Sequence, residues 1–206
     1  AGGELTIKSA SAKLPGGKGV GALRRSAMAR FQELGLPHRR VEEWKYTDLR
    51  AALKDAVNVA GAGAAVSQAQ ADEALGALAR LDAYRMTFVD GQYDPELSRI
   101  DGASGLEVMS LANILGKAPD AVAEGLARTG APAGEAIVAL NTALMTDGAV
   151  VRISAGARLD KPLLLVALRA AGSARMISAR HVISVGAKAE AVIVEVHAAV
   201  TGAASG

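Results

Sequence analysis

The sequence Ile-Ser-Ala-Gly-Ala-Arg at residues 153–158 returns 30 positions later as Ile-Ser-Val-Gly-Ala-Lys at residues 183–188. An apolar run follows each block at the same distance, Leu163–Val166 after the first and Ile193–Val196 after the second. Two short strands and a Gly-Ala corner per repeat are typical of a β-solenoid, whose coils bury their faces against one another. We therefore expect the strands that contain Ile153 and Ile183 to pair in parallel. A four-stranded antiparallel sheet with chance similarity is the alternative.

The residues before this repeat show mainly helical patterns. Apolar positions recur at helical spacing over Gly21–Leu34, and Gly35 supplies the stop. A capping-box pattern precedes a second predicted helix at Gln68–Leu81. Between Ser110 and Leu144 glycines and prolines divide the chain into short predicted helices, the last at Glu135–Leu144.

A short β-hairpin interrupts the helical part. Residues 84–89 alternate in the manner of a strand, and Asp90-Gly91 is the strongest short hairpin signal. All six aromatic residues lie before residue 94. The sequence thus predicts an α+β fold with a mostly helical domain with a β-hairpin at residues 1–147 and the first coils of a truncated solenoid at residues 148–206.

The composition excludes several functional classes. A 206-residue chain that is 50% hydrophobic can form a core, so a disordered protein is not expected. The formal net charge of +2 gives no basic field for nucleic acid. The absence of cysteine removes disulfides, thiolate metal ligands and a cysteine nucleophile. The apolar run at Leu163–Leu168 is too short to span a membrane, and Ala1–Ala10 does not resemble a signal peptide.

One stretch formally fits a dinucleotide-binding fingerprint. Residues 17–22 read Gly-Lys-Gly-Val-Gly-Ala, and a predicted helix follows them. The required preceding strand is missing because residues 11–15 are short, polar and end in proline. We therefore do not assign a nucleotide site.

The histidines and carboxylates give no clear metal or catalytic site. His38, His181 and His197 are scattered over the two predicted domains. Glu195 and His197 share one face of a strand by period two and could begin a metal site, but two ligands without a third favour a solvated outer face. We therefore assign no catalytic, cofactor-binding or metal-binding residues, and we expect no iron–sulfur cluster on this chain because it lacks cysteine.

Residues 35–50 read Gly-Leu-Pro-His-Arg-Arg-Val-Glu-Glu-Trp-Lys-Tyr-Thr-Asp-Leu-Arg, which resembles a segment near the front of the SufB/SufD family. Further similarities are Phe88–Tyr93, Leu140–Ala143, Lys161–Leu163 and Ile193–His197. Within the first segment, Trp44 with Tyr46 has the pattern of an anchor on one face of a small domain, and ordinary core packing is the favoured interpretation of Trp44. The resemblance covers most of the chain.

This resemblance implies a role and partners. It implies a helical front domain, a right-handed parallel β-helix and a further helical domain, of which this chain holds the N-terminal portion. It also implies a non-catalytic, cytoplasmic scaffold of iron–sulfur cluster assembly that works with a SufB-like paralogue and a SufC-like ATPase. The cluster and ATP would be handled through these partners, whose contact surfaces are expected beyond Gly206. An open solenoid edge would also favour self-association.

A β-helix enzyme acting on carbohydrate is the alternative, because many such enzymes share the solenoid. It would need converging acidic and basic groups on the solenoid face. The solenoid region offers as carboxylates Asp160, Glu190 and Glu195, and their spacing suggests no acid–base pair.

Overall fold

The computed structural model describes residues 14–52, 58–59, 65–128, 135–170 and 175–201. Within these ranges the α-helices are α1 (Gly17–Leu34), α2 (Leu49–Ala52), α3 (Gln68–Leu75), α4 (Leu111–Lys117), α5 (Asp120–Arg128) and α6 (Ala136–Leu144). The strands are β1 (Asn58–Val59), β2 (Tyr84–Val89), β3 (Gln92–Arg99), β4 (Leu106–Ser110), β5 (Ala149–Ile153), β6 (Leu163–Arg169), β7 (Arg175–Met176), β8 (Val182–Val185) and β9 (Ile193–Ala199). The protein is therefore a mixed α+β structure, as predicted.

Helix α1 begins one turn earlier than the sequence pattern predicts. Val20 lies in that extra turn and is 1% exposed, since it packs with residues of α4 and α5. Burial of this side chain outweighs the weak helix preference of the glycines around it. The helix ends at Gly35, whose φ of 68° suits glycine and whose N–H donates to the carbonyl of Phe31.

The second predicted helix is α-helical only in its first half. The capping box is present, because Ser67 and Gln70 each accept a hydrogen bond from the other's backbone N–H. Gly76, at φ 57°, ends α3 and its N–H donates back into the last turn. The chain continues to Arg80 as a 3-10 helix, so the helical stretch is shorter and tighter than predicted.

The predicted β-hairpin is confirmed. Val89 pairs with Gln92 across a two-residue loop in which Asp90 has φ 47° and Gly91 has φ 82°. Positive φ at both positions defines a type I′ turn, which the Asp-Gly sequence favours. The carboxylate of Asp90 is buried and accepts hydrogen bonds from Arg169 and from the N–H of Ala170.

The longer strands form two sheets that combine parallel and antiparallel neighbours. One has the order β3-β2-β6-β9 and the other the order β4-β5-β8, while β1 and β7 form a separate short pair. The pairs β2·β6, β6·β9 and β5·β8 are parallel, and the pairs β2·β3 and β4·β5 are antiparallel. Each sheet thus takes strands from both sides of residue 147, and the division of the chain at that residue stays a prediction.

The parallel pairing of the two repeat blocks is confirmed, but their register differs from the predicted one. Strands β6 and β9 keep the 30-position offset, with Leu163 opposite Ile193. Strands β5 and β8 are offset by 32 positions, so Ile153 lies opposite Val185 and not Ile183. A shift of two residues keeps each side chain on the same face, which is why the sequence pattern does not reveal it.

The loop that leads from the Gly-Ala corner to the next strand is therefore two residues longer in the first coil, before β6, than in the second coil, before β9. The 32-position offset persists to the bridge between Arg158 and Glu190 and is lost by Leu163. Residues in the longer loop bond to the first residue of β2 and to the segment just before it. The hydroxyl of Tyr84 donates to Asp160 at 2.8 Å, and Lys161 pairs with Asp82 at 2.8 Å.

The core divides into layers on both faces of the two sheets. Between the sheets lie buried side chains of β2, β5 and β6, which are Tyr84, Met86, Phe88, Ala149, Val151, Ile153, Leu163 and Leu165. The outer face of the first sheet packs on α3, the outer face of the second on α1, α4 and α5, and α1 packs on α6. Every residue of β2 is buried, because this strand is covered on both faces.

A buried carboxylate joins the helical part to the sheets. Asp147 is 4% exposed and its Oδ1 accepts from the Ser110 hydroxyl and from the N–H groups of Ala112 and Gly148. Its Oδ2 accepts from the N–H of Tyr93. Four donors satisfy the carboxylate, so Asp147 fixes the start of α4 and of β5 beside β3.

Candidate functional site

Glu195 and His197 lie on the inward face of β9, toward the space between the two sheets. Their partners across β6 are Leu165 and Ala167, and Leu165 belongs to the core between the sheets. Val194 and the other residues of the opposite face pack toward α3. The pair is exposed, as predicted, but the face of β9 that carries it is the inward one and not the predicted outer one. Helix α3 provides an apolar partner outside the sheet, and the alternation of the sequence does not show which face it covers.

A cavity of about 580 Å³ opens beside these two side chains. Apolar side chains of β2 and β6 and several polar groups line it: Phe88, Gly91, Asn141, Ala167, Leu168, Arg169, Ile177, Ala179, His181, Glu195, His197, Ala198 and Ala199. Phe88 on β2 pairs with Ala167 on β6, and Ala167 pairs with His197 on β9. Across the sheet, the inward-facing residues of this row are therefore apolar on β2 and β6 and polar on β9. The cavity thus lies where the inward face turns from apolar to polar.

His181 is the most constrained titratable group in this cavity. Its Nδ1 accepts a hydrogen bond of 2.9 Å from the N–H of Ala149, and its ring centroid lies 5.7 Å from that of Phe88. Burial lowers the pKa of His181 below the ordinary 6.5, Glu195 and Asp147 act in the opposite direction, and His197 adds to the lowering. The imidazole is therefore neutral near pH 7, with its proton on Nε2.

His197 and Glu195 form a hydrogen-bonded pair at the mouth of the cavity. His197 Nε2 lies 2.8 Å from Glu195 Oε1, and an ionised carboxylate can only accept, so the imidazole donates. The side chains are 71% and 55% exposed. An exposed pair of this kind contributes little to stability, roughly 0–1 kcal/mol.

The geometry does not favour a metal centre at these three residues. A metal ligand needs a free nitrogen lone pair, but Nδ1 of His181 is occupied as an acceptor and Nε2 carries the proton. Within the part of the chain that the structure describes, no group of three or more His, Asp or Glu side chains is arranged to hold a metal ion. In this cavity His181 acts as a hydrogen-bond acceptor through Nδ1 and not as a metal ligand.

The other residues singled out in the sequence lie away from this cavity. Residues 17–22 form the beginning of α1 and directly follow a turn at residues 15–16, while residues 11–13 lie outside the described residues. His38 accepts from the N–H of Arg40 in a shallow surface depression. Trp44 is half-buried and Tyr46 is 91% exposed, so the predicted core packing of Trp44 is wrong and Tyr46 does not act as a packing anchor.

The carboxylates that a carbohydrate-acting enzyme would use do not converge. Asp160 accepts from Tyr84, Glu190 pairs with Arg158 at 2.6 Å, and Glu195 pairs with His197. Each is held by a different neighbour. The described geometry therefore does not favour the acid–base pair that glycoside cleavage requires.

Sequence reasoning did not identify His181, Arg169 or Asn141 as residues of a shared cavity. They come from three separate segments, and the side chains of Arg169 and Asn141 bond to Asp90 and to the carbonyl of Ala179. The 32-position register is the signal that could have placed His181, because it sets this residue beside the start of β5. The 30-position match in the sequence concealed it.

Comparison with known proteins identifies one family. The family described as "SufBD protein N-terminal region" matches residues 8–165. An iron–sulfur cluster assembly SufBD family protein of Synechocystis sp. is 34% identical over 146 residues, which are 70% of this chain and 31% of that protein.

A second relative gives a consistent result. The iron–sulfur cluster assembly protein SufD of Escherichia coli is 32% identical over 166 residues, which are 78% of this chain and 35% of that protein. The chain thus spans about one third of the length of these relatives. In the described ranges, no helix has the length and apolarity needed to cross a membrane.

Proposed function

The chain belongs to the SufBD protein family, and on that premise we propose that it forms the front part of a non-catalytic scaffold in iron–sulfur cluster assembly. The match over residues 8–165 is the observation that carries this proposal. The names of both relatives, which describe cluster assembly proteins, support the same role.

The strand arrangement supports an architecture suited to a scaffold. Parallel pairing of β5 with β8 and of β6 with β9 gives two sheets whose strands succeed one another at nearly constant offsets. We propose that these strands are the first coils of a right-handed parallel β-helix. Such a solenoid offers a long rigid surface on which other subunits can be placed.

The proposed partners belong to the whole protein. We propose a SufB-like paralogue and a SufC-like ATPase in the cytoplasm, with the cluster and ATP handled by that complex. Support comes from family membership, since this chain corresponds to about one third of its relatives. Its own cavity contains imidazole and carboxylate but no thiolate, and iron–sulfur clusters are usually held by cysteine.

A chimera tests the proposed role. Residues 1–206 would replace the matching front segment of Escherichia coli SufD in a strain that lacks SufD, and the activity of an iron–sulfur enzyme would be measured in extracts. We expect activity close to that obtained with intact SufD. The strain without any SufD gives the baseline.

Accumulation of the chimera must be measured alongside activity. A chimera that accumulates as a folded protein to the level of SufD and still leaves the enzyme at baseline would contradict the proposal. A carbohydrate-acting function would instead predict release of reducing sugar from polysaccharides by the chain alone.

A further inference from the structure

The free edge of strand β4 lacks the features that usually protect the edge of a sheet. Strand β4 ends its sheet and pairs, within the described residues, only with β5. It is five residues long, contains no proline and carries one charged residue, Glu107. Natural sheets usually protect such edges with proline, bulges or charges.

Strand β3, which forms one edge of the four-stranded sheet, shows those protections. It contains Pro95 between Asp94 and Glu96, and its pairing with β2 is broken by a register shift. Proline removes a backbone donor and the shift bends the edge. Of these two edges, therefore, only β4 is suited to receive another strand.

The hydrogen-bond pattern shows which groups β4 offers. Ser154 donates to the carbonyl of Gly105, and Leu111 donates to the carbonyl of Gly148. In an antiparallel ladder bonded residues alternate, so residues 105, 107, 109 and 111 face β5. The N–H and C=O groups of Leu106 and Val108 then point to the free side.

A groove beside this edge provides room for side chains. Its volume is about 510 Å³, and it runs along residues 107–110 between β4 and helices α4 and α5. Ile114, Ala118 and Ala121 make part of its wall apolar. Lys117 is exposed at the groove and makes no ion pair within the described residues.

We propose that the β4 edge binds an extended, acidic peptide segment of a partner protein by β-strand addition. The backbone of the segment would pair with Leu106 and Val108, its alternate apolar side chains would enter the groove, and a carboxylate would meet Lys117. The proposal does not depend on the role in cluster assembly, because it rests on the edge and groove alone.

The first experiment uses a synthetic probe with blocked backbone donors. The 206-residue chain would be titrated with the capped peptide Thr-Val-Thr-Glu-Thr-Val-Thr, whose valines and glutamate share one face of the strand, and with two analogues N-methylated at alternate residues, one analogue on each side of the strand. We expect one analogue to bind at least tenfold more weakly than the parent peptide and the other to bind within about twofold of it. Equal loss in both analogues, or no binding of the parent peptide, would overturn the proposal.

The second experiment exchanges the charges. Lys117→Glu should weaken binding of the acidic peptide about fivefold or more and favour a peptide in which lysine replaces glutamate. Arg40→Glu is the matched control, since Arg40 is exposed in the segment after α1 and lies outside the groove. Equal effects of the two substitutions would show a general charge effect and overturn the assignment.

A third measurement separates a partner peptide from a second copy of the chain. Sedimentation of the chain with and without the peptide gives its oligomeric state. If the edge were occupied by another copy, the peptide would dissociate a dimer and Lys117→Glu would shift that equilibrium. That outcome would replace a peptide partner with self-pairing and so refute the proposal.

Discussion

Gly148 occupies a position that no other residue can take without moving the backbone. It has φ 154°, and a Cβ built on it would lie 1.9 Å from the carbonyl oxygen of Arg180 and 2.9 Å from its nitrogen. This contact joins the start of β5 to the segment before β8. The close approach of two backbones, and not the turn alone, explains the glycine.

Gly148→Ala should lower the free energy of unfolding by about 3 kcal/mol or more, because relief of the clash requires the two coils to separate. For a chain of this length the melting temperature should fall by roughly 6–12 °C. The control is Gly116→Ala in α4, where a Cβ meets nothing within 4 Å and helix preference predicts no loss or a small gain. Similar melting temperatures for the two variants would contradict this account.

Lys188 occupies the corner that Gly156 occupies one coil earlier, since the two lie 32 positions apart. Their φ angles are 59° and 72°. Lys188→Gly should raise the free energy of unfolding by about 1 kcal/mol, and Gly156→Ala should lower it by about as much, because a Cβ is disfavoured at positive φ. Lys188→Ala keeps the strained backbone and should change little. Chemical denaturation of the three variants measures the difference.

At the level of whole strands, His181 connects two neighbouring coils. Its side chain accepts from the first residue of β5, while the residue itself directly precedes β8. The bond needs an unprotonated Nδ1. Protonation of the ring would therefore remove a contact between the coils and place a charge in a buried site.

Stability should fall on acidification because of this residue. The pKa of His181 is lowered in the folded chain, mainly by burial, so the unfolded chain binds the proton at a higher pH. The contribution of neutral His181 to the free energy of unfolding is complete above about pH 6.5 and is lost as the pH falls below that value. Thermal melts from pH 7.5 to 5 should show a smaller decrease for His181→Asn, which keeps an acceptor, than for the unmodified chain. His197→Asn, the control, should retain most of the decrease.

The elements that the sequence predicts well are those set by local chemistry. The hairpin at Asp90-Gly91, the capping box at Ser67 and the stop at Gly35 depend on a few adjacent residues and lie where the patterns place them. The register of β8 and the inward direction of Glu195 depend on packing against distant segments. A two-residue shift leaves the alternation of β8 unchanged, and the alternation of β9 does not show which of its faces a helix covers. No local pattern could therefore reveal either feature.

For the molecule as a whole, the first prediction concerns iron and sulfide. Anaerobic incubation with both, followed by desalting, should leave the chain colourless, because it has no cysteine and Nδ1 of His181 is already occupied as a hydrogen-bond acceptor. The measurement is the visible absorption spectrum with iron and sulfide analysis. Stoichiometric retention of both, lost on His197→Ala or Glu195→Ala, would show that the cavity binds a cluster.

The last coil should cause self-association. Ile183, Val185 and Val192 are 44%, 57% and 61% exposed, and within the described residues β8 and β9 each pair on one side only. Apolar surface beside free strand edges favours pairing between molecules. Sedimentation at increasing concentration should show association that Val185→Glu reduces. Tyr46→Glu removes a still more exposed hydrophobic side chain elsewhere and should have no effect.

The place of β2 between β3 and β6 has a consequence for how the polypeptide acquires its structure. Tyr84 of β2 pairs with Leu163 of β6, 79 positions later, whereas β3, the other partner of β2, follows it directly after the hairpin turn. Strand β6 begins 64 positions after the hairpin ends at Arg99, so at about 5–20 residues per second a ribosome would complete the hairpin roughly 3–13 s before β6 emerges. During that interval the edge of β2 that pairs with β6, and the face of β2 toward the other sheet, lack their native cover. Chaperone engagement, in a stalled-chain experiment, should therefore be strongest for nascent chains in which residues 84–99 have left the exit tunnel and residues 163–169 have not, and it should decline once β6 has emerged.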